Sequence, residues 1–256
     1  MIMVKKARDA EDYIHHIFIH MNETDQFVIF SGLTLDQFVL SAGPMQNLLL
    51  LKHQYEDGSF NMHTQLEFVP ADEIRSFLKE FVDSPTDLRF IDFAEERKLN
   101  TLTPQEQAEL LYMGHKKEAI RPPFYYQLQN RFVYLANEEE SMTKIYFREL
   151  VDSEELVVNV MNNYVKDKEK GSAFWRRKTK QSFPIMTIED VKALRPLLKE
   201  GVLISLYKQE KPKSIYEVEV RLLPENVFPD EVWDELTSIL GERPEETIRF
   251  HLQSLA

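Results

Sequence analysis

Three short segments that share one pattern constrain the fold of this 256-residue chain more than any other feature of its sequence. In each, a threonine precedes a Gln, Glu or Asp by three positions: Thr34 and Gln37, Thr103 and Glu106, Thr187 and Asp190. A threonine at a helix N-cap accepts a hydrogen bond from the N3 amide, and the N3 side chain can bond back to the cap amide. The pattern therefore predicts three helix starts. Pro104 supports the second start, whereas Pro196 predicts that the third helix stops or kinks near Leu194.

A hairpin pattern follows each predicted helix start. Asp57 and Gly58 predict the turn of the first hairpin, because this pair tolerates positive φ angles. The second and third turns are expected at residues 137–141 and 211–213. In the third hairpin, apolar residues at every second position are typical of a half-buried strand.

Each hairpin is followed by a second predicted helix, and two of the three copies end in a strand-like segment. The helices are indicated by apolar residues at helical spacing within 74–81, 156–164 and 232–240. The closing strands are indicated by "DLRFIDF" from Asp87 and "TIRFHLQ" from Thr247. Before the first copy, "AEDYIHHIFIHM" from Ala10 predicts a helix and "QFVIFS" from Gln26 predicts a strand.

This order of elements indicates the fold class. Strand, helix, hairpin, helix, strand is the order of ferredoxin-like units. We therefore expect an α+β protein of repeated αββαβ units, with antiparallel hairpins packed on helices. The expected units are 1–100, 101–184 and 185–256, and the middle one ends in a basic connector. The alternative is that an α+β chain shows these patterns by chance, without true repetition.

Composition argues against several classes of protein. The chain has no cysteine, which excludes disulfides, thiol nucleophiles and thiolate metal sites. It has 7 glycines and neither glycine-rich phosphate motif, which disfavours nucleotide enzymes that depend on such loops. No apolar stretch approaches the roughly 20 residues that span a bilayer, and no apolar segment follows the basic residues Lys5, Lys6 and Arg8. We expect a cytoplasmic protein with no cofactor and no membrane partner.

A histidine cluster near the N-terminus, His15, His16 and His20, is the main candidate for a metal site. In a helix, His16 and His20 share a face at i, i+4, the spacing at which two imidazoles reach one metal, and Asp12 is a possible third ligand. The segment lacks the glutamate of a zinc-protease motif. The alternative is a polar stripe beside apolar residues, and we expect the stripe and no metal.

The densest aromatic segment, residues 120–135, alternates as a strand does. One face of such a strand must join the core. Tyr125 on the other face, together with Arg121 and Arg131, is a candidate contact surface, because tyrosine and arginine are favoured at protein interfaces. The favoured alternative is an ordinary strand with one core face.

The most basic stretch of the chain, residues 166–180, has seven lysines and arginines against two acids, whereas the whole chain has a net charge of -12. Its candidate contact residues are Trp175, Arg176, Arg177, Lys178 and Lys180. Nucleic-acid affinity comes from neutralising several phosphates, which a local patch on an acidic protein does poorly. We expect this stretch to be a connector whose charges are balanced by acidic neighbours. The second interpretation is a contact for an acidic protein surface, and the least favoured is polyanion binding.

These observations favour a non-enzymatic cytoplasmic interaction or regulatory protein. Its expected partner is another protein or a second copy of itself. The first alternative is a nucleic-acid-binding protein that uses the basic stretch. The second alternative is a hydrolase or metal-dependent enzyme whose residues the sequence pattern does not reveal.

Overall fold

A computed structural model of the protein describes residues 9–51, 67–82, 88–116, 118–137, 142–171, 186–209 and 215–251. Within these residues the fold is mixed α/β, with ten antiparallel strands and six α-helices. The chain divides into two compact units. We call Asn22–Ser153 the central unit, and Met1–Met21 with Glu154–Ala256 the terminal unit. These boundaries differ from those expected at residues 100 and 184.

The elements are numbered in chain order. The strands are β1 Tyr13–Asn22, β2 Phe27–Ser31, β3 Asn47–Leu50, β4 Phe68–Val69, β5 Arg89–Phe93, β6 Phe132–Asn137, β7 Met142–Phe147, β8 Val202–Lys208, β9 Ile215–Leu222 and β10 Glu246–His251. The α-helices are α1 Leu35–Ser41, α2 Ile74–Val82, α3 Pro104–Lys116, α4 Leu150–Gly171, α5 Ile188–Glu200 and α6 Leu236–Gly241. The central unit has the strand order β2-β7-β6-β5-β3-β4, and the terminal unit has the order β10-β9-β8-β1.

All three predicted threonine caps are confirmed. The Thr34 hydroxyl accepts a hydrogen bond from the Gln37 amide, and the Gln37 side chain accepts one from the Thr34 amide at 3.0 Å. The same reciprocal pairs, at the starts of α3 and α5, join Thr103 to Glu106 and Thr187 to Asp190.

Of the stop or kink predicted near Leu194, the stop is wrong, because α5 continues to Glu200 with Pro196 inside it. The kink stays a prediction. Leu194 and Leu198, on either side of the proline, are both buried. Tertiary packing of such an apolar face supplies most of the stability of a helix, and it outweighs the one hydrogen bond that proline removes.

The three predicted hairpins are present as antiparallel pairs. Strand β3 pairs with β4, β6 pairs with β7, and β8 pairs with β9. In the longest of them the register extends from Val202 opposite Leu222 to Lys208 opposite Tyr216. Of the predicted turn residues, Asn137 is the last residue of β6, opposite Met142. The others, including Asp57 and Gly58, lie outside the described residues.

The expected common strand order of the copies is wrong. In the first copy the closing strand β5 pairs with β3, the first strand of its hairpin. In the last copy the closing strand β10 pairs with β9, the second strand of its hairpin. The repeated ferredoxin-like order is therefore not confirmed. Caps and hairpins are local patterns, and they do not determine which edge of a hairpin the next strand joins.

The helix predicted from Ala10 is also wrong, because residues Tyr13–Asn22 form strand β1. The consecutive residues Ile17, Phe18 and Ile19 are all buried, and they pair with β8. A strand that is buried on both faces has a continuous apolar run, which periodicity alone does not distinguish from a buried helix.

The helix predicted at 232–240 is present only in part. Residues Pro229–Glu231 form a short 3-10 turn, and α6 begins at Leu236. The predicted apolar residues are nevertheless buried: Val232, Ile239 and Leu240 pack against Tyr13, Phe18 and Leu203. This cluster is the core on one face of the terminal sheet.

On the α4 and α5 side of the terminal unit, polar contacts join the two helices. Arg195 of α5 forms an ion pair with Glu154 of α4, whose side chain is fully buried. The Asn162 side chain accepts a hydrogen bond from the Met186 amide at 3.1 Å and donates one to the Met186 carbonyl at 3.3 Å. The Asn162 bonds fix the start of α5 against the middle of α4, and the ion pair joins the second half of α5 to the beginning of α4.

We expect Gly201→Ala to lower the free energy of unfolding by about 1–3 kcal/mol. Gly201 follows α5 with a φ of 85°, and an added Cβ would lie 3.2 Å from Cζ of Phe18. Chemical denaturation measures the loss. The control is Gly241→Ala at the end of α6, where no atom lies within 4 Å of the added Cβ and a near-neutral change is expected. Equal losses in the two variants would contradict this account of Gly201.

Candidate functional site

The predicted histidine cluster does not form the geometry on which a metal site would depend. On strand β1, His15 and His16 point to opposite faces, and His16 and His20 are separated by about 13 Å of extended chain. His15 stacks on Tyr164 with ring centroids 3.6 Å apart. Among the described residues, no group of three or more histidines and carboxylates is arranged to hold a metal ion.

A small cavity of about 70 Å³ lies in the central unit, beside the start of α4. Phe27, Phe147 and Leu150 contribute to its lining. The nearby Gln26 side chain donates to the Arg148 carbonyl at 3.0 Å, so this polar group is engaged within the protein. The cavity holds a few water molecules at most and offers no room for an organic substrate.

The strongest candidate is the segment between α3 and β6, residues 118–131, which we call the anchored loop. The extended conformation predicted for its aromatic part is wrong: residues 126–129 form a turn, and β6 begins only at Phe132. At the end of the turn, Gln129 has a φ of 51°, in the left-handed region that non-glycine residues rarely adopt. This irregular backbone is fixed from three directions.

Asn130 fixes the loop from within. Its side chain is fully buried, and its Oδ1 accepts a hydrogen bond from the Tyr125 amide at 2.9 Å. Its Nδ2 donates to the Pro123 carbonyl, also at 2.9 Å. The side chain of Asn130 therefore pairs with one backbone amide and one backbone carbonyl of the loop, which lie outside any strand or helix.

Asp92 of β5 fixes the end of the loop. Its carboxylate is fully buried and accepts hydrogen bonds from the Arg131 and Phe132 amides at 2.7 and 3.0 Å. Its second oxygen accepts from Arg131 Nε at 2.8 Å. Arg131 Nη2 in turn donates to the Pro44 carbonyl at 2.9 Å. A buried carboxylate with three donors, one of them charged, is well compensated for the loss of water.

Arg148, just after β7, fixes the loop from a third direction. Its Nε donates to the Asn130 carbonyl at 2.7 Å, and its Nη2 lies 3.3 Å from the Tyr125 carbonyl. Its guanidinium also lies over the ring of Phe124, 5.5 Å from the centroid. A single planar cation thus holds the two ends of the turn together.

Tyr125 and Leu128 of the loop join the core of the central unit, where they pack with residues of α3, β5 and β6. The Tyr125 side chain is only 5% exposed. Burial, and next the carboxylate of Glu109, raises the pKa of Tyr125 above its ordinary value. The phenol is therefore uncharged at neutral pH and acts as a core residue.

Two other large apolar side chains of the loop face solvent. Tyr126 is 84% exposed and Ile120 is 71% exposed. Between them in sequence, Arg121 forms a 3.0 Å ion pair with Glu109 of α3, so the loop is tied to the helix that also carries the exposed Tyr112. We call Tyr112, Ile120, Arg121 and Tyr126 the contact residues.

Helix α3 is itself held in place by a buried cation. Arg89 of β5 is almost completely buried, and its guanidinium donates to the carbonyl of Gly114 in the last turn of α3. Burial lowers the pKa of Arg89 to about 10, so the group remains charged at neutral pH. A cation at this end of a helix is stabilised by the helix dipole.

The candidate residues from the sequence are distributed as follows. Arg121 lies at the surface, Arg131 is half-buried and bonded to Asp92, and Tyr125 is buried. The exposed tyrosine of this segment is therefore Tyr126. The basic candidates lie outside the described residues: Trp175, Arg176, Arg177, Lys178 and Lys180. A partner contact by any of these residues stays a prediction.

A second polar cluster, which the sequence pattern did not indicate, lies on the terminal sheet. Tyr13 Oη donates to a Glu219 carboxylate oxygen at 2.6 Å, and Arg221 Nη2 donates to the same oxygen at 2.7 Å. Arg221 Nε donates to the Glu242 carbonyl at 3.1 Å. Burial, and next the bond to Glu219, raises the pKa of Tyr13. The only sequence signal for this cluster is the set of charged residues within the apolar alternation of β9.

His16 and Ser205 extend this cluster across β1 and β8. His16 Nδ1 lies 2.9 Å from Ser205 Oγ, and Nε2 lies 3.4 Å from the Ala10 carbonyl. Because a carbonyl only accepts, Nε2 carries the proton and Nδ1 accepts from the hydroxyl. A histidine next to a serine hydroxyl is also the geometry of an activated nucleophile. Ser205 is fully buried, however, so this hydroxyl is out of reach of a substrate.

Comparison with protein-family models, with curated proteins and with solved structures finds no match to this chain. Among the described residues, no helix is long and apolar enough to span a membrane. The assignment of a function therefore rests on the geometry of the site alone.

We expect Asn130→Ala to lower the free energy of unfolding by about 1–3 kcal/mol, because the Tyr125 amide and the Pro123 carbonyl lose their partner. Hydrogen exchange of the loop amides should accelerate as well. The control is Gln129→Gly at the neighbouring exposed position, where glycine suits the positive φ. Unchanged exchange in Asn130→Ala would show that the loop is fixed by other contacts.

We expect acid to destabilise the terminal unit through His16. Burial lowers the pKa of this imidazole below its ordinary value of 6.5. The bond to the Ala10 carbonyl opposes this shift, and the positive charge of Arg221 adds to it. The unfolded chain then binds a proton that the folded chain resists, so stability falls as the pH drops below 6.5. Urea denaturation from pH 5 to pH 8 should show a smaller slope in His16→Gln than in the wild type. Equal slopes would remove His16 as the cause.

Proposed function

We propose that the protein is a non-enzymatic interaction protein, and that it binds another protein through the contact residues Tyr112, Ile120, Arg121 and Tyr126. The observation that carries this proposal is that the anchored loop exposes Tyr126 and Ile120 while its backbone is fixed by buried hydrogen bonds. We place this activity in the cytoplasm, since a chain without cysteine suits a reducing compartment.

The fixed backbone supports binding because it lowers the entropic cost of association. A surface that must be ordered upon binding loses part of its interaction energy to that ordering. Here Asn130, Asp92 and Arg148 hold the loop before any partner arrives. Irregular loops on a rigid scaffold are where proteins most often carry binding residues.

The types of the contact residues also support protein binding. Tyrosine and arginine are enriched among the residues that dominate interface energy, because each combines a large apolar surface with a polar end. Arg121 is 61% exposed although it is paired with Glu109, so its guanidinium plane remains available to a partner. Single exposed apolar residues are common on proteins. Here one fixed loop exposes two, and it is paired through Arg121 with α3, the helix that carries the exposed Tyr112.

The chemistry of this surface favours binding over catalysis. The contact residues include no pair of titratable groups in which one could act as a base for the other. The Arg121 and Glu109 charges neutralise each other, and the phenol of Tyr126 faces open solvent. Such a set of groups recognises a surface by shape and apolar contact.

We expect the double variant Ile120→Ser with Tyr126→Ala to lose at least about tenfold in affinity for a protein captured from a cell lysate, because two apolar anchors are removed. Affinity is measured by interferometry against each captured protein. Leu40→Ala, which removes an exposed apolar side chain of α1 outside the loop, is the matched control and should bind as the wild type does. Both variants should keep the wild-type melting temperature, since the altered side chains are exposed.

Two outcomes would contradict the proposal. One is that no captured protein distinguishes the loop variant from the Leu40→Ala control. The other is that RNA or DNA binds with a steep dependence on salt, and that replacing Arg176, Arg177 and Lys178 by glutamine abolishes this binding. That second result would favour nucleic-acid binding through the basic stretch.

A further inference from the structure

Strand β10 lies at the end of the strand order of the terminal unit. Its inner side pairs with β9 over six residues, from Glu246 opposite Val220 to His251 opposite Ile215. Among the residues that the structure describes, no strand pairs with its outer side. A strand in this position presents backbone N–H and C=O groups that another strand can use.

Natural proteins usually protect such an edge. In β10 the Thr247 amide donates to the Glu246 carboxylate at 3.2 Å, a bond that pairing with another strand would replace, but most of the common protective features are missing. Edge strands are blunted by shortness, by proline, by lysine or by bulges. Strand β4, at the edge of the central unit, has two residues, whereas β10 has six and contains neither proline nor lysine. Its one basic side chain, Arg249, donates to the buried Glu217 of β9 at 2.8 Å and is therefore held along its own sheet.

We propose that the outer edge of β10 pairs antiparallel with β10 of a second copy of this chain, about a twofold axis at Ile248. This surface is separate from the contact residues of the central unit, so the inference does not rest on the proposed function. Two copies joined in this way bury the backbone groups of both edges at once.

The side chains of β10 suit a twofold register at Ile248. Side chains on one face alternate, so a twofold axis at Ile248 places it opposite its own copy, Glu246 opposite Phe250 and Thr247 opposite Arg249. No like charges face each other in this register. The next register along the strand, centred on Arg249, would place two guanidinium groups opposite each other, which is unfavourable.

The charges of β10 are compatible with a second copy in this register. The strand carries one acid, Glu246, and one base, Arg249, and each faces a neutral residue of the copy. Ile248 and Phe250 are only partly buried within one chain, so pairing would cover apolar surface that is now open to solvent.

The absence of cysteine from the chain makes a direct test possible. Residues directly opposite in an antiparallel pair have Cα atoms about 4.5–5.5 Å apart, which a disulfide can bridge. Ile248→Cys should therefore form a disulfide-linked dimer under mild oxidation, seen as a doubled mass. Ser238→Cys, an equally simple change at an exposed position of α6, is the control and should not form a disulfide-linked dimer, as judged by its mass under non-reducing, denaturing conditions.

A pair of lysine variants tests the register in solution by sedimentation equilibrium. Ile248→Lys places two ammonium groups opposite each other and should weaken the dimer on the order of tenfold. Phe250→Lys, on the same face of the same strand, places its ammonium opposite Glu246 of the copy and should leave the dimer within about threefold of the wild type. Melting curves establish that both variants fold.

The proposal fails if the wild type sediments as a monomer up to hundreds of micromolar, or if the two cysteine variants crosslink equally. It also fails if both lysine variants weaken a dimer to the same extent, since that result would place the axis elsewhere. If deletion of residues 1–8 converts a monomer to a dimer, the N-terminal segment of the same chain covers the edge, and the proposal is wrong for the intact protein.

Discussion

The requirement that buried polar groups find partners fixes the path of the anchored loop in the central unit, and the carboxylate of Asp92 is the clearest case. It is fully buried, and it accepts from two consecutive amides at the point where the anchored loop becomes β6. An apolar residue at this position would leave those two amides without a partner, and each such loss costs about 1–3 kcal/mol. The start of β6 and the half-buried state of Arg131 follow from this one group, which fixes the loop together with Asn130 and Arg148.

The same requirement sets the register of the terminal sheet. Glu217 and Glu219 of β9 are buried on the face where Arg249 and Arg221 reach them. A shift of β10 by one residue would move Arg249 to the other face and leave the Glu217 carboxylate buried without that cation. Buried ion pairs add little net stability, but breaking one is costly. These pairs therefore select one alignment of β9 and β10, and an aligned β10 is the condition for any ordered pairing at its outer edge.

Sequence reasoning predicted the features of this fold that depend on neighbours along the chain. The caps at Thr34, Thr103 and Thr187 need a partner only three residues away, and all are present. The features that depend on distant residues were missed. The segment at Ile17 is a strand because β8, almost 190 residues later, pairs with it. The closing strands join different edges of their hairpins, which no local pattern encodes.

The candidate site shows the same division between local and distant signals within two adjacent residues. Tyr125 is 5% exposed and Tyr126 is 84% exposed, although residue type does not distinguish them. The difference arises because the Tyr125 amide bonds to Asn130 and the turn begins at the next residue. In a strand, exposure alternates from one residue to the next, and this alternation predicts Tyr125 as the surface tyrosine. The exposed tyrosine is Tyr126. In this loop, the buried amide of Asn130 bonds to the backbone of Tyr125, whose side chain packs in the core. We therefore expect a change at that buried residue to alter which side chains the loop exposes, although Asn130 itself is buried.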